Sequence, residues 1–128
     1  MRKIFWTTVT LGFFAAPAWA GPFDGVWDGS GAQCQRAMSD GRVTVSETAL
    51  AFWETHCTLS NPTAIRDMPD AMLYDAACSG EGETWASRVL LARLSFGGDR
   101  LLILMGGVET IRQRCDAPPV SGPDGLKG

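Results

Sequence analysis

The chain is poor in the groups from which most active sites are assembled. It has a single histidine, His56, and neither a C-x-x-C nor an H-x-x-x-H pair. Structural zinc sites are built on such close pairs, and a catalytic metal normally takes three protein ligands. No metal or other cofactor is therefore expected. No G-x-S-x-G elbow is present, which removes the usual α/β-hydrolase nucleophile. Basic residues are few, 11 against 14 acidic ones, and they form no cluster. Nucleic-acid binding requires phosphate neutralisation, and an anionic membrane surface requires the same positive charge, so neither is an expected partner. Beyond the first twenty residues no apolar run is long enough to cross a bilayer.

What is present begins with MRKIFWTTVTLGFFAAPAWA. Arg2 and Lys3 form a positive n-region, Ile4 to Ala16 is mostly apolar and uncharged, and Ala18-Trp19-Ala20 is an A-x-A cleavage site preceded by Pro17. This is the pattern of a secretory leader cut after Ala20. The run is short for a membrane anchor, and Gly21 rather than a cysteine follows the cut, so no lipid anchor is expected. The reading is leader 1–20, one β domain over 21–116, and a Pro- and Gly-rich flexible tail over 117–128. Without Arg2 and Lys3, nine basic residues face fourteen acidic ones, a net charge near −5. The mature chain is expected to be periplasmic or secreted, outside the membrane and monomeric.

Cys34, Cys57, Cys78 and Cys115 all lie beyond the cut, with 22, 20 and 36 residues between them. In an exported chain an even cysteine count reads as disulfides, and four cysteines admit three pairings. Cys57 with Cys78 is preferred, because each ends a strand-like run and a short connection separates them. Cys34 with Cys115 then ties the first strand to the last.

The remaining pattern is that of short strands. Residues 23–29 (FDGVWDG) hold Trp27 between glycines. Val43 and Val45 alternate with polar neighbours, and Thr48 to Leu59 reads as one strand with Trp53, Thr55, Cys57 and Leu59 on one face and Glu54, His56 and Thr58 on the other. Ser60 to Asp70, with two prolines, reads as a long loop. Ala71 to Cys78, Thr84 to Phe96, Arg100 to Met105 and Val108 to Cys115 read as strands, the last with Ile111 and Cys115 inward and Arg112 and Arg114 outward. Gly106-Gly107 suits a primed two-residue hairpin turn. The fold class is all-β, a small antiparallel barrel or sandwich of about seven or eight strands with two disulfides, connected as a meander. Trp27, Trp53, Trp85, Phe52, Tyr74 and Phe96 are expected to fill the interior.

Three side-chain sets could carry chemistry. Glu54 and His56, two apart on one strand face, are the candidate metal or acid–base pair, though a third partner is missing and a polar exposed face is the plainer reading. Asp67 with Asp70, and Glu81 with Glu83, lie in turns where carboxylates stay solvated rather than serving as general acids. Arg88, Arg93, Arg112 and Arg114 could line an anion site, or else form cross-strand pairs with Glu109 or Asp75.

The pattern Gly25-x-Trp27, Cys34, Glu54-x-x-Cys57, Cys78-Ser79-Gly80-Glu81-Gly82, Arg114-Cys115 resembles a group of small exported Gram-negative bacterial domains with no assigned activity. Gly25-Val26-Trp27 also resembles the G-x-W signature of lipocalin-like barrels, which small periplasmic protease and lysozyme inhibitors use. These resemblances imply a β-barrel and supply no catalytic residues. The expected role is a non-enzymatic binding domain whose partner is a protein or a small molecule. Three alternatives are an inhibitor of a periplasmic or foreign hydrolase acting through Asn61 to Asp70, a metal protein or enzyme using Glu54 and His56, and a purely structural or envelope-stress protein.

Overall fold

The computed structural model describes residues 21–115 together with Gly12. The leader and the tail assigned from sequence lie outside the described residues. Eight strands follow in order: β1 (Gly25–Asp28), β2 (Val43–Ser46), β3 (Ala49–Ala51), β4 (Thr55–Ile65), β5 (Met68–Gly80), β6 (Glu83–Leu94), β7 (Arg100–Met105) and β8 (Val108–Arg114). One helical turn, α1 (Gly31–Cys34), lies between β1 and β2. Each strand pairs antiparallel with the next, and β8 returns to β1 through Trp27↔Arg114 and Asp28↔Gln113, so the sheet closes into a barrel. The start of β1 and the β2–β3, β4–β5 and β6–β7 connections share one end, here called the mouth; the remaining connections form the base.

Local chemistry sets the turns. Glu81-Gly82 and Gly106-Gly107 all have positive φ, the backbone of primed hairpin turns whose twist matches that of the strands they join. The interior is filled by alternate residues of the strands: Trp27, Val43, Val45, Leu50, Leu59, Val89, Leu91, Leu101 and Ile103 are all buried. The indole N–H of Trp27 donates to the Phe23 carbonyl at 3.0 Å, so the largest core side chain leaves no polar atom unpaired. Cys57 and Cys78 stand directly opposite one another on β4 and β5 and form a disulfide inside this core. The second disulfide joins Cys34 of α1 to Cys115, just past β8. Both pairings are those preferred from sequence.

The base is closed by a buried carboxylate. Asp28 is fully buried. Its Oδ1 accepts from the Gly29 amide at 2.7 Å and the Ser39 hydroxyl at 3.0 Å, and its Oδ2 faces Arg42 Nε at 3.3 Å. Arg42 in turn donates to the carbonyls of Gln33, Cys34, Arg36 and Ala37. One ion pair thus holds the α1 connection over the end of the barrel.

Four expectations are corrected. Thr48 to Leu59 is not one strand: a bend at Trp53-Glu54, closed by the Phe52 amide donating to the Thr55 carbonyl at 2.8 Å, turns β3 back into β4. Trp53 therefore sits in the turn, 49 % exposed, and is not core; Trp85 and Phe96 are exposed as well. Ser60 to Asp70 is not a loop but the far part of the β4–β5 hairpin, turned at Arg66-Asp67. Asn61 and Pro62 were loop signals in the sequence; here they form a bulge, with Asn61 at φ 52° and the register shifting between Ser60 and Thr63. Pro62 lies beyond the last β3–β4 pair, Ala49↔Thr58, where no ladder bond is asked of it. The facing of β8 is also reversed. Leu101↔Arg112 and Leu102↔Ile111 put Arg112 on the inner side and Ile111 on the outer, 42 % exposed. Inward positions at the ends of a short barrel open to solvent, and long cationic side chains reach out through them. Arg112 Nε bonds the Gly41 carbonyl at the base at 2.9 Å, and the Arg114 guanidinium lies over the Trp27 ring, 4.2 Å from its centre.

Candidate functional site

Two places stand out: the mouth and the distal β4–β5 ribbon. At the mouth, residues 21–24 cross in front of the barrel and separate two clefts, of about 520 and about 230 Å³, both lined by Gly21, Pro22 and Asp24. This strap is held by its backbone carbonyls. Arg93 Nη1 of β6 donates to Pro22 O at 3.3 Å, Trp27 Nε1 of β1 to Phe23 O, and Arg114 Nη1 of β8 to Asp24 O at 3.1 Å.

The larger cleft carries the two arginines, Arg93 and Arg114, and both grip Asp99. Arg93 Nη2 bonds Asp99 Oδ1 at 2.7 Å, and Arg114 Nε bonds Oδ2 at 2.6 Å. Burial acts to raise the Asp99 carboxyl; the hydrogen bonds and charges of Arg93 and Arg114 together outweigh it and hold the group below its ordinary value. A depressed carboxylate contributes stability that is present above the unfolded value, near 4, and lost as pH falls through the folded one. Asp99→Asn should therefore be less stable than the parent at neutral pH, with the difference closing progressively below about pH 4. Thermal melts from pH 7 to pH 2 would check this, and a gap that stays constant across the range would contradict it.

The smaller cleft has carboxylates and no arginine in its lining. It is lined by Asp24, Glu47, Phe23, Val45, Leu59 and Tyr74, among others. Burial first, then the charges of Asp24 and Glu47, push the Tyr74 phenol above its usual value. The phenol stays neutral at physiological pH, and the mouth is electrostatically two-sided.

The ribbon is the second place. Beyond Ser60 on β4 and before Ala71 on β5 the two strands pair only with each other, and no residue from Asn61 to Asp70 is buried. Asn61 Nδ2 bonds Asp75 Oδ2 at 2.8 Å across the bulge, which stiffens its root. Its tip carries Arg66 and the exposed Met68. A two-stranded segment with no face to bury gains little from folding alone.

The sequence-selected residues scatter. Glu54 lies in the β3–β4 bend, outside the strand, so the alternation argument does not place it beside His56. His56 stands on the outer face of β4, opposite Ala51 on one side and Ser79 on the other. Neither side chain forms a hydrogen bond or ion pair with another described residue, and no group of three metal-ligating side chains occurs among the described residues. Arg88 pairs with Asp75 across the strands at 3.4 Å, leaving Arg93 and Arg114 as the two arginines that converge. Asp67, Asp70, Glu81 and Glu83 are exposed.

Sequence reasoning missed Asp99 and Asp24. For Asp99 a signal existed: Arg93 and Asp99 flank a hairpin turn, so their side chains must approach. Leu73, Leu90, Leu102, Leu104 and Ile111 also went unremarked as an outer apolar patch on β5 to β8. Its residues are read directly from the register once the inner face is fixed by Leu101 and Ile103.

Comparison with family models, with curated proteins and with solved structures finds no match to this chain. The class defined by the fold is a disulfide-stapled, eight-stranded antiparallel barrel. Its two disulfides suit an oxidising, extracytoplasmic compartment, and no helix among the described residues is long and apolar enough to cross a membrane.

Proposed function

We propose that this chain is an exported, non-enzymatic binding domain, released from its leader after Ala20, that engages a protein partner through the β4–β5 ribbon. The observation that carries this reading is the ribbon itself. Asn61 to Asp70 contribute nothing to the barrel core, yet they are paired, bulged and pinned by the Asn61–Asp75 bond into one shape. Conformational order without burial is a cost to folding, and a preformed projecting element recovers that cost on binding. The bulge and Pro62 blunt the outer edge of β4 against strand addition, so recognition falls to side chains at the tip. A narrow convex ribbon suits a concave partner such as the substrate cleft of a hydrolase, which makes inhibition of a protease or lysozyme the form of binding to test first. The non-enzymatic part of the proposal rests on the open surroundings of the one histidine.

The test is titration of the purified chain against a muramidase and a serine protease of the same compartment, with Arg66→Ala/Met68→Ser as the matched variant. Both side chains lie at the tip, so Tm should not move. Potency should fall about tenfold or more, as expected when interface anchors are truncated. Equal potency of the variant would exclude the ribbon. No inhibition by either form would exclude those two enzymes as partners, and native mass spectrometry of the protein drawn gently from its own compartment would then identify what it carries.

A further inference from the structure

We propose that the acidic side of the mouth is a seat for the chain's own α-ammonium group, exposed at Gly21 when the leader is removed. The inference rests on the cleavage reading given under Proposed function.

The starting point is Asp24. It is 8 % exposed, and among the described residues it forms no ion pair. A buried carboxylate without a cationic partner is unfavourable. Arg93 and Arg114 line the cleft beside it, but among the described residues their side-chain ion pairs are with Asp99. The group that Asp24 does contact is the nitrogen of Gly21, 3.0 Å from Oδ2, while the Asp24 amide donates back to the Gly21 carbonyl at 3.2 Å. These two bonds close a small ring at the front of the strap. In the uncut chain that nitrogen is a neutral amide bonded to the Ala20 carbonyl, with one N–H to give. Hydrolysis of the Ala20–Gly21 peptide bond, with water as the co-reactant, leaves a carboxylate on Ala20 and an amine on Gly21 that takes up a proton. The same nitrogen then brings a full positive charge to the same oxygen, which converts an amide-to-carboxylate hydrogen bond into an ion pair with both partners charged.

The surroundings favour this. Glu47 lines the adjoining cleft and reinforces the negative field that Tyr74 experiences. The strap is positioned independently of the ammonium, because Arg93, Trp27 and Arg114 hold the carbonyls of Pro22, Phe23 and Asp24 from three different strands. The amine is thus delivered to a prepared partner rather than searching for one. Leader removal completes the mouth: in the precursor the Asp24 carboxylate accepts from a neutral amide and has no ion-pair partner among the described residues, and in the mature chain it has one.

The sequence offers a clean test. Residues 21–128 contain one lysine, Lys127. In a Lys127→Arg background the Gly21 amine is the only primary amine, so acetylation removes its charge and leaves the amide of the uncut state. N-terminal sequencing of the exported protein comes first; a start other than Gly21 would overturn the cleavage reading. Independently, chain starting at Gly21 is prepared by cutting a fusion before that residue, and its melting is compared with and without acetylation. Acetylation should lower Tm by about 4–8 °C. In Asp24→Asn the same acetylation should change Tm by no more than about a degree. The Gly21 amine, followed by nitrogen NMR, should titrate above its ordinary range of about 7.7–8.0. The groups that bear on it are Asp24, Glu47, Asp99, Tyr74, Arg93 and Arg114, and the shift should collapse in Asp24→Asn alone. An acetylated chain as stable as the free one, or an equal loss in Asp24→Asn, would overturn the proposal.

Discussion

Asp28→Ala should destabilise the domain by about 3–5 kcal/mol, the range for removing one partner of a buried ion pair. The carboxylate is wholly buried, and its removal leaves Arg42 without its ion-pair partner and the Gly29 amide and Ser39 hydroxyl without their acceptor. Arg42 is also what gathers the carbonyls of residues 33–37, so the α1 connection should loosen along with it. Asp28→Asn keeps one acceptor oxygen for Ser39 and Gly29 but loses the charge, and should fall between the parent and the alanine variant. Guanidinium unfolding at pH 7 measures both. A loss under about 1 kcal/mol for Asp28→Ala would mean that the base is held by something other than this pair.

The disulfides should separate by accessibility. On the chain-entropy model, loops with separations of 21 and 81 residues correspond to stabilisation of about 3 and about 4.5 kcal/mol respectively. For a barrel of this size the sum is comparable with the whole folding free energy. Reduction of both should therefore abolish the folded state at 37 °C. The order of reduction follows burial. Cys34 and Cys115 are half-buried at the rim, whereas Cys57 and Cys78 lie in the core. Mild dithiothreitol in native buffer should open Cys34–Cys115 first, with Cys57–Cys78 resisting until the barrel itself opens. Timed alkylation and peptide mapping reads this directly, and simultaneous loss of both bonds would show that rim accessibility does not set the order.

Much of the barrel was legible because a strand buried on one face writes its period into the chain. Val43 and Val45, Met72 to Cys78, and the two-glycine turn at 106–107 were all readable in this way. The errors have identifiable causes. The Phe52 to Thr55 turn contains neither glycine nor proline, so nothing in it announces a reversal. Asn61 and Pro62 announce a loop but form an edge bulge, because a ribbon paired on one side only can accept a residue that donates no ladder bond. On β8, Arg112 and Arg114 were placed outward by their charge; near a barrel's ends a long cationic side chain can occupy an inner position and still reach solvent. The candidate site was the least legible part. Asp24, the Arg93–Asp99 hairpin and Arg114 belong to three separated stretches of sequence, and only closure of the sheet brings all of them together.

The order in which the strands meet has a further meaning for how such a chain matures. Seven of the eight strand pairings join consecutive strands and can form as local hairpins soon after the chain emerges; the eighth joins β1 to β8. Because β1 is synthesised first and its outer partner last, it must wait with one edge open until the whole domain is available, and long-range pairing of that kind is slow and prone to association. Cys57 and Cys78 sit within one such hairpin, while Cys34 and Cys115 bracket the closing seam. Oxidation of the second pair is then a chemical timestamp for closure, and a chaperone or oxidase acting on this chain would find its work concentrated at that seam.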